Sequence, residues 1–255
     1  MKDSKERFSE KVDNYVKYRP SYPSTVIDYI IEKSGIGTKS VVADIGSGTG
    51  KFTKLLLDRN IEVFGIEPND NMRKAAEDEL SKYPDFHSIN ASAEATTLAD
   101  ASIDLITVAQ AFHWFDREKC SGEFKRILKN DGKIALVWNS RDQKSEFMAA
   151  AQKVLKQYSV DSADFATDVM GDEVFLQFFE SYEVVHFRQT QKFDLPSYLG
   201  RAASSSYSPQ PDHENYLPQR KALTEIFEKY QQNDEVELVY KTELIIGKVG
   251  RNNES

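Results

Sequence analysis

The 255-residue chain is 40% apolar and 29% charged, the make-up of an ordinary globular protein with room for one large α/β domain. Its 41 acidic residues outnumber the 33 basic ones, and the resulting net charge of −8 excludes a broad nucleic-acid or anionic-membrane surface while leaving room for a local basic pocket. A single cysteine, Cys120, excludes both an intrachain disulfide and a cysteine-cluster metal site.

The chain opens on a polar and aromatic stretch in which Phe8, Val12 and Tyr15 fall near helical spacing, ending by Arg19-Pro20. It lacks the apolar core of a signal peptide, and no run approaches the ~18 apolar residues of a membrane span, so a cytoplasmic protein is expected. Residues 26–34 read as a helix with Ile27, Ile30 and Ile31 on one face, broken by Gly35-Ile36-Gly37. Residues 41–45 are a buried strand, followed by Gly46-Ser47-Gly48-Thr49-Gly50 and a helix over 51–58. A second strand over 61–67 ends in Glu67. The next helix starts at a cap, Asn69 or Asp70, and runs to Tyr83.

Strands over 86–91 and 103–109 follow. A helix over 118–128, a turn at 129–133 and a strand over 134–138 complete five strand–helix units. Residues 143–180 read as a helical insertion and cap. Residues 182–193 read as a strand, and 195–207, with Tyr198 and Arg201, as a segment lining the substrate. A helix over 217–230 and a last strand over 235–248 close the pattern, and the tail from 250 frays. One domain over 1–250 is expected: N-terminal cap helices over 1–35, a core over 36–142, the insertion over 143–180, then C-terminal strands and the lining segment over 181–250. The four histidines, His87, His113, His186 and His213, match no metal spacing.

Strand, glycine turn and helix form the first unit of a nucleotide-binding α/β sheet. A dinucleotide site wants G-x-G-x-x-G/A, and counting from Gly46 or Gly48 meets Lys51 or Thr53 at the sixth place. Asp44, two residues before the first glycine, would repel a pyrophosphate and attract an ammonium group. About 20 residues further on, at the end of strand two, Glu67 can accept from both hydroxyls of a ribose. The competing explanation of Asp44 is a surface aspartate beside an ordinary turn.

Val41-Val42-Ala43-Asp44-Ile45-Gly46-Ser47-Gly48-Thr49-Gly50 resembles motif I of the class I S-adenosylmethionine (SAM)-dependent methyltransferases. Tyr15-Val16-Lys17-Tyr18-Arg19-Pro20-Ser21-Tyr22-Pro23 and Gln110-Ala111-Phe112-His113-Trp114 resemble the type 11, trans-aconitate methyltransferase-like group. The resemblance covers residues 8–142. It implies an α/β fold, a Rossmann-like seven-stranded sheet with helices on both faces, the last strand antiparallel, and a helical cap. It implies SAM as cofactor, held by Tyr15, Arg19, Asp44, Gly46, Ser47, Gly48, Gly50, Glu67, Pro68, Met72, Ser92, Ala93, Glu94, Gln110 and Ala111. Many relatives have Asp where this chain has Ser92, a neutral and weaker partner for an adenine amine.

The Asn-Pro-Pro-Tyr of many amino-group methylating enzymes is absent. Tyr22, His113, Trp114 and Arg141 are the expected substrate residues, with Arg19 or Arg141 pairing an anionic acceptor and His113 the candidate catalytic residue. The expected partner is a small-molecule substrate, possible carboxylates included, with no nucleic acid and no membrane. Two readings compete: an NAD-dependent oxidoreductase, which Asp44 and the missing third glycine oppose, and a non-catalytic SAM-binding protein, which the same motifs would equally serve.

Overall fold

The computed structural model describes residues 21–142, 144–160, 178–205 and 207–250. Tyr15, Arg19, most of the N-terminal cap segment, part of the helical insertion and the tail lie outside them.

Seven strands form one sheet in the order β3-β2-β1-β4-β5-β7-β6. They are β1 (Val41–Ile45), β2 (Glu62–Ile66), β3 (Phe86–Ile89), β4 (Ile103–Ala109), β5 (Leu128–Arg141), β6 (Phe179–Phe193) and β7 (Val236–Val249). The first five pair in parallel, and β7 inserts antiparallel between β5 and β6, as expected for the last strand. The order reverses between β1 and β4, and in such sheets the crevice outside the carboxyl ends at the reversal receives the ligand.

Side chains alternate across the sheet and are claimed by helices on both faces. Val42, Val63, Leu105 and Val137 pack with α1 (Ser24–Ser34), α2 (Lys51–Leu57) and α3 (Asp70–Leu80). Ala43, Ile45, Ile66, Ile106, Val108 and Leu136 pack with α4 (Arg117–Ile127). Burial from both sides explains why β1 and β4 are nearly continuous apolar runs. A third cluster joins α5 (Glu146–Gln157), α6 (Leu195–Ala203) and α7 (Tyr216–Tyr230) to β7, and includes Phe147, Leu199, Leu223, Phe227 and Leu238.

Local chemistry sets the boundaries. Asn69 caps α3 by accepting from Asn71 N and Met72 N, and Asp116, Ser145 and Asp194 cap α4, α5 and α6 in the same way. Gly35, at φ 75°, ends α1 with its N–H on Ile31 O. α1, within the stretch expected to be N-terminal cap, puts Val26, Ile27 and Ile30 into the core of the sheet. Residues 129–133, expected as a turn, lie within β5 as an irregularity. Ile103 pairs with Leu128 and Leu105 with Lys133, so the extra residues on β5 bulge out. The strand expected over 134–138 runs on through Arg141, because it pairs with β7 as far as Tyr240.

Candidate active site

The glycine turn sits at the carboxyl end of β1. Gly46 N and Ser47 N both donate to Ile66 O, at 2.8 and 3.1 Å, which ties the turn to β2. Gly46, Gly48 and Gly50 have φ of 72°, 57° and 76°, a region that side chains strain to adopt. A Cβ on Gly46 would lie 2.5 Å from Ala111 Cβ, so the loop after β4 closes directly on this turn. A Cβ on Gly48 would meet no atom within 4 Å, and Gly48 lines an open cavity.

Asp44 lines the same cavity. Its side chain is fully buried, with Thr53 Oγ1 donating to Oδ2 at 2.6 Å and Thr107 Oγ1 to Oδ1 at 2.9 Å. Burial pushes its pKa up to about 6, against the pull of the two hydroxyls, with the charge of Glu67 adding to the rise. The carboxylate is therefore charged at neutral pH, poorly solvated, and suited to a cationic ligand. The alternative of a solvated surface aspartate does not describe it.

Glu67 lies on the flank of the turn. Its Oε2 accepts from Gly48 N at 2.9 Å and its Oε1 from Asn69 N at 2.8 Å. Arg73 Nη1 holds the Glu67 carbonyl at 3.1 Å. Next to it, Pro68 is half-buried and Met72 is buried. Ser92 bridges to Ala95, Ala93 belongs to the core, and Glu94 accepts from Asp116 N at 3.0 Å, fastening this turn to α4.

The cavity is completed by Tyr22, Ser47, Thr49, Lys51, Phe52, Ala109, Gln110, Asn139 and Arg201. Tyr22 meets Phe52 edge-on at 5.0 Å, and Ser21 O accepts from Asn139 Nδ2 and Gln189 Nε2, which pins this segment over β5 and β6. Gln110 takes a left-handed φ of 60° at the end of β4 and donates from Nε2 to Asn139 O. A non-glycine residue held there stores strain of about 1–3 kcal/mol, a pattern concentrated at functional sites. The Thr49 hydroxyl is buried with no hydrogen-bond partner among the described residues.

The structure thus gathers Asp44, Gly46, Ser47, Gly48, Gln110 and Tyr22 around one cavity, with Glu67, Gly50 and Ala111 bordering the turn. Pro68, Met72, Ser92, Ala93 and Glu94 do not line that cavity. Nor do His113 and Trp114, which are exposed with their rings 4.7 Å apart. Thr49, Thr53 and Thr107 are site residues that the sequence reading missed. Thr53 follows the glycines by one helical turn, a spacing that pointed to it. Thr107 lies on β4, and no sequence signal put it beside Asp44.

Arg141 lies in a second, narrow cleft between β5, α5 and α6, and Arg201 lines both cavities. Arg141 Nη1 donates to Tyr207 Oη at 3.2 Å and reaches Gln152 Oε1 at 3.5 Å. Burial opposes its charge, and the nearby hydroxyls of Tyr207, Tyr240 and Tyr198 favour it, leaving its pKa above the ordinary arginine value. Among the described residues there is no metal-holding group of His, Cys, Asp and Glu, and no helix long and apolar enough to cross a membrane.

Residues 43–136 match the family model of a methyltransferase domain. The chain is 34% identical over 161 residues to an uncharacterized methyltransferase-like protein of Schizosaccharomyces pombe, covering 63% of this chain and 62% of that protein. It is 35% identical over 137 residues to an uncharacterized methyltransferase of Mycobacterium tuberculosis, covering 54% of each. The match therefore spans less than two thirds of either relative. Among solved structures, a candidate type II methyltransferase from Anaeromyxobacter dehalogenans superposes with a TM-score of 0.66 at 19% identity, covering 91% of this chain and 98% of that one. A candidate methyltransferase of an antibiotic biosynthesis pathway from Anabaena variabilis superposes with a TM-score of 0.64 at 22% identity, covering 89% and 98%. The fold is a seven-stranded Rossmann-like fold, which the chain shares with these two structures.

Proposed function

We propose that this chain, whose residues 43–136 carry a methyltransferase domain, moves a methyl group from SAM to a small-molecule acceptor at the carboxyl ends of β4 and β5. The observation that carries the reading is Asp44, a buried carboxylate lining a cavity roofed by bare glycine backbone. That pairing suits the ammonium of SAM and opposes a pyrophosphate. The orphaned Thr49 hydroxyl supplies a further polar group for the amino-acid end of the cofactor, and Glu67 can take the ribose hydroxyls.

When bound, SAM supplies a methyl already activated by a sulfonium. The residues of this chain then need to orient the acceptor and exclude water, and Tyr22, Phe52 and Gln110, which line the cavity, are the side chains proposed for this. A small carboxylic acid is the favoured acceptor class, because Arg141 and Arg201 stand next to the cavity in a protein with a net charge of −8. A carboxylate arrives deprotonated and needs no base, which agrees with His113 being exposed and outside both clefts.

Titration with SAM, its demethylated product (SAH) and NAD tests the cofactor, and turnover on a panel of acids, phenols and amines tests the acceptor. SAM and SAH should bind in the micromolar range, about −8 kcal/mol. NAD binding more tightly than SAH would return the oxidoreductase reading to first place. Binding of SAH without turnover on any acceptor would favour the non-catalytic one.

A further inference from the structure

The second cleft contains a buried polar atom that the fold leaves unsatisfied. Tyr198 is 3% exposed, and its hydroxyl has no hydrogen-bond partner among the described residues. Two guanidiniums share that cleft. Arg141 has only neutral partners among the described residues, Tyr207 and Gln152. Arg201, 5% exposed, is oriented by Tyr240 Oη at 3.1 Å and Ser204 Oγ at 3.2 Å. Apart from Gln152, whose Oε1 faces Arg141, the rest of the wall is apolar and includes Phe147, Met148, Ala151, Leu155 and Leu238.

The unpaired Tyr198 hydroxyl and the Arg141 guanidinium, which has no counter-charge among the described residues, are unfavourable until an anion joins them. Arg201 lines both this cleft and the cavity of the glycine turn, so an anion held there stands at the junction of the two. Away from the guanidiniums the wall is hydrocarbon except for the neutral Gln152 amide, so a second carboxylate there would find no counter-charge among the described residues.

We infer that the acceptor is a monocarboxylic acid with an apolar body, its carboxylate held by Arg141, Tyr198 and Arg201 and its hydrocarbon part lying against Met148, Leu155 and Leu238. This deepens the methyltransferase reading and rests on it. An acceptor oxygen forms the new O–CH₃ bond with its own electron pair, and the C–S bond breaks with its pair left on sulfur. The carboxylate becomes a neutral ester and the sulfonium a neutral thioether, with no proton released. The ester has lost the charge that the arginines hold, so the product leaves more readily than the acid.

The test is calorimetric titration of the full chain with octanoate, octanol and suberate, each with SAH present, after SAH binding has been measured alone. Octanoate should bind at least about tenfold more tightly than octanol or suberate. Octanol binding as tightly as octanoate would overturn the inference, and so would suberate doing so. Tyr198→Phe separates ligand binding from structure. Deleting an unpartnered hydroxyl should leave the melting temperature of the free protein unchanged or raised while weakening octanoate several-fold. A lowered melting temperature with octanoate affinity unchanged would make the hydroxyl structural and reject its role. Leu155→Trp should exclude octanoate and spare butanoate; equal effects on both would place the chain elsewhere. If SAH binds and no acid does, this inference fails alone. If SAH itself does not bind, the methyltransferase reading fails and takes this one with it.

Discussion

Asp44 is the residue on which most of the site chemistry turns, and its environment makes specific demands. Both of its oxygens accept from threonines, so Asp44→Asn keeps one of these bonds in good geometry and removes the buried charge. Affinity for SAH should fall by about tenfold or more at pH 7, measured by calorimetry, with the fold retained. Glu67 spans two backbone donors, Gly48 N and Asn69 N. Glu67→Gln leaves one of these without an acceptor and weakens any bond to a ribose, so SAH affinity should fall by about 1.5–3 kcal/mol while circular dichroism stays native. Gly48→Val combines a strained φ of 57° with a side chain in open cavity space, and it should abolish SAH binding. Asp44 and Glu67 were legible from sequence because their positions are fixed relative to the glycines by the strand–turn–helix unit. Thr107 was not read as a partner of the site, since it reaches Asp44 through the pairing of β1 with β4, strands distant in the chain, and Tyr198 was read only as part of a lining segment.

At the scale of elements, the antiparallel insertion of β7 gives the sharpest stability prediction. Gly247 pairs with Tyr182 across β6, and a Cβ there would lie 2.1 Å from Ser181 O and 2.8 Å from Tyr182 Cα. These are backbone atoms of a long paired strand, so they cannot yield as a side-chain tip does. Gly247→Ala should destabilise by about 2 kcal/mol or more in urea unfolding. Gly122 is the converse: it is exposed on α4, with nothing within 4 Å of an added Cβ. Gly122→Ala should stabilise by about 0.5–1 kcal/mol. Periodicity located most described helices and strands to within a few residues, but it gave no helix over 195–207, where α6 (Leu195–Ala203) lies, and it began β5 at 134 instead of Leu128. It took residues 129–133 for a turn because Asn130-Asp131-Gly132 is turn chemistry; pairing with β4 on either side of them keeps the segment in the sheet as a bulge.

For the whole molecule, the raised pKa of Asp44 predicts opposite pH responses with and without ligand. The folded value of about 6 exceeds the ordinary 3.8, so the native state binds a proton more readily than the unfolded chain does. The stability contributed by this group is fully present below pH 4 and is lost as pH rises through about 6. Acidification from pH 7.5 to 5 should therefore raise the melting temperature of the ligand-free protein relative to Asp44→Asn, and lower SAH affinity over the same window. A melting difference independent of pH would show that Asp44 does not titrate there.

Sequence alone determined the fold class, the glycine turn with Asp44 and Glu67, and the antiparallel place of the last strand through its family resemblance. The strands and the glycine turn are local patterns, and burial on both faces of a parallel sheet writes the parallel strands into the apolar spacing, whereas the antiparallel last strand was implied by the resemblance alone. Only the tertiary structure decided which arginines stand by the cavity, that Arg201 joins two clefts, and that the Tyr198 hydroxyl has no hydrogen-bond partner among the described residues. Those facts depend on α5 and α6 packing against β7, contacts between segments far apart in the chain, and no periodicity encodes the direction in which a buried polar side chain will point.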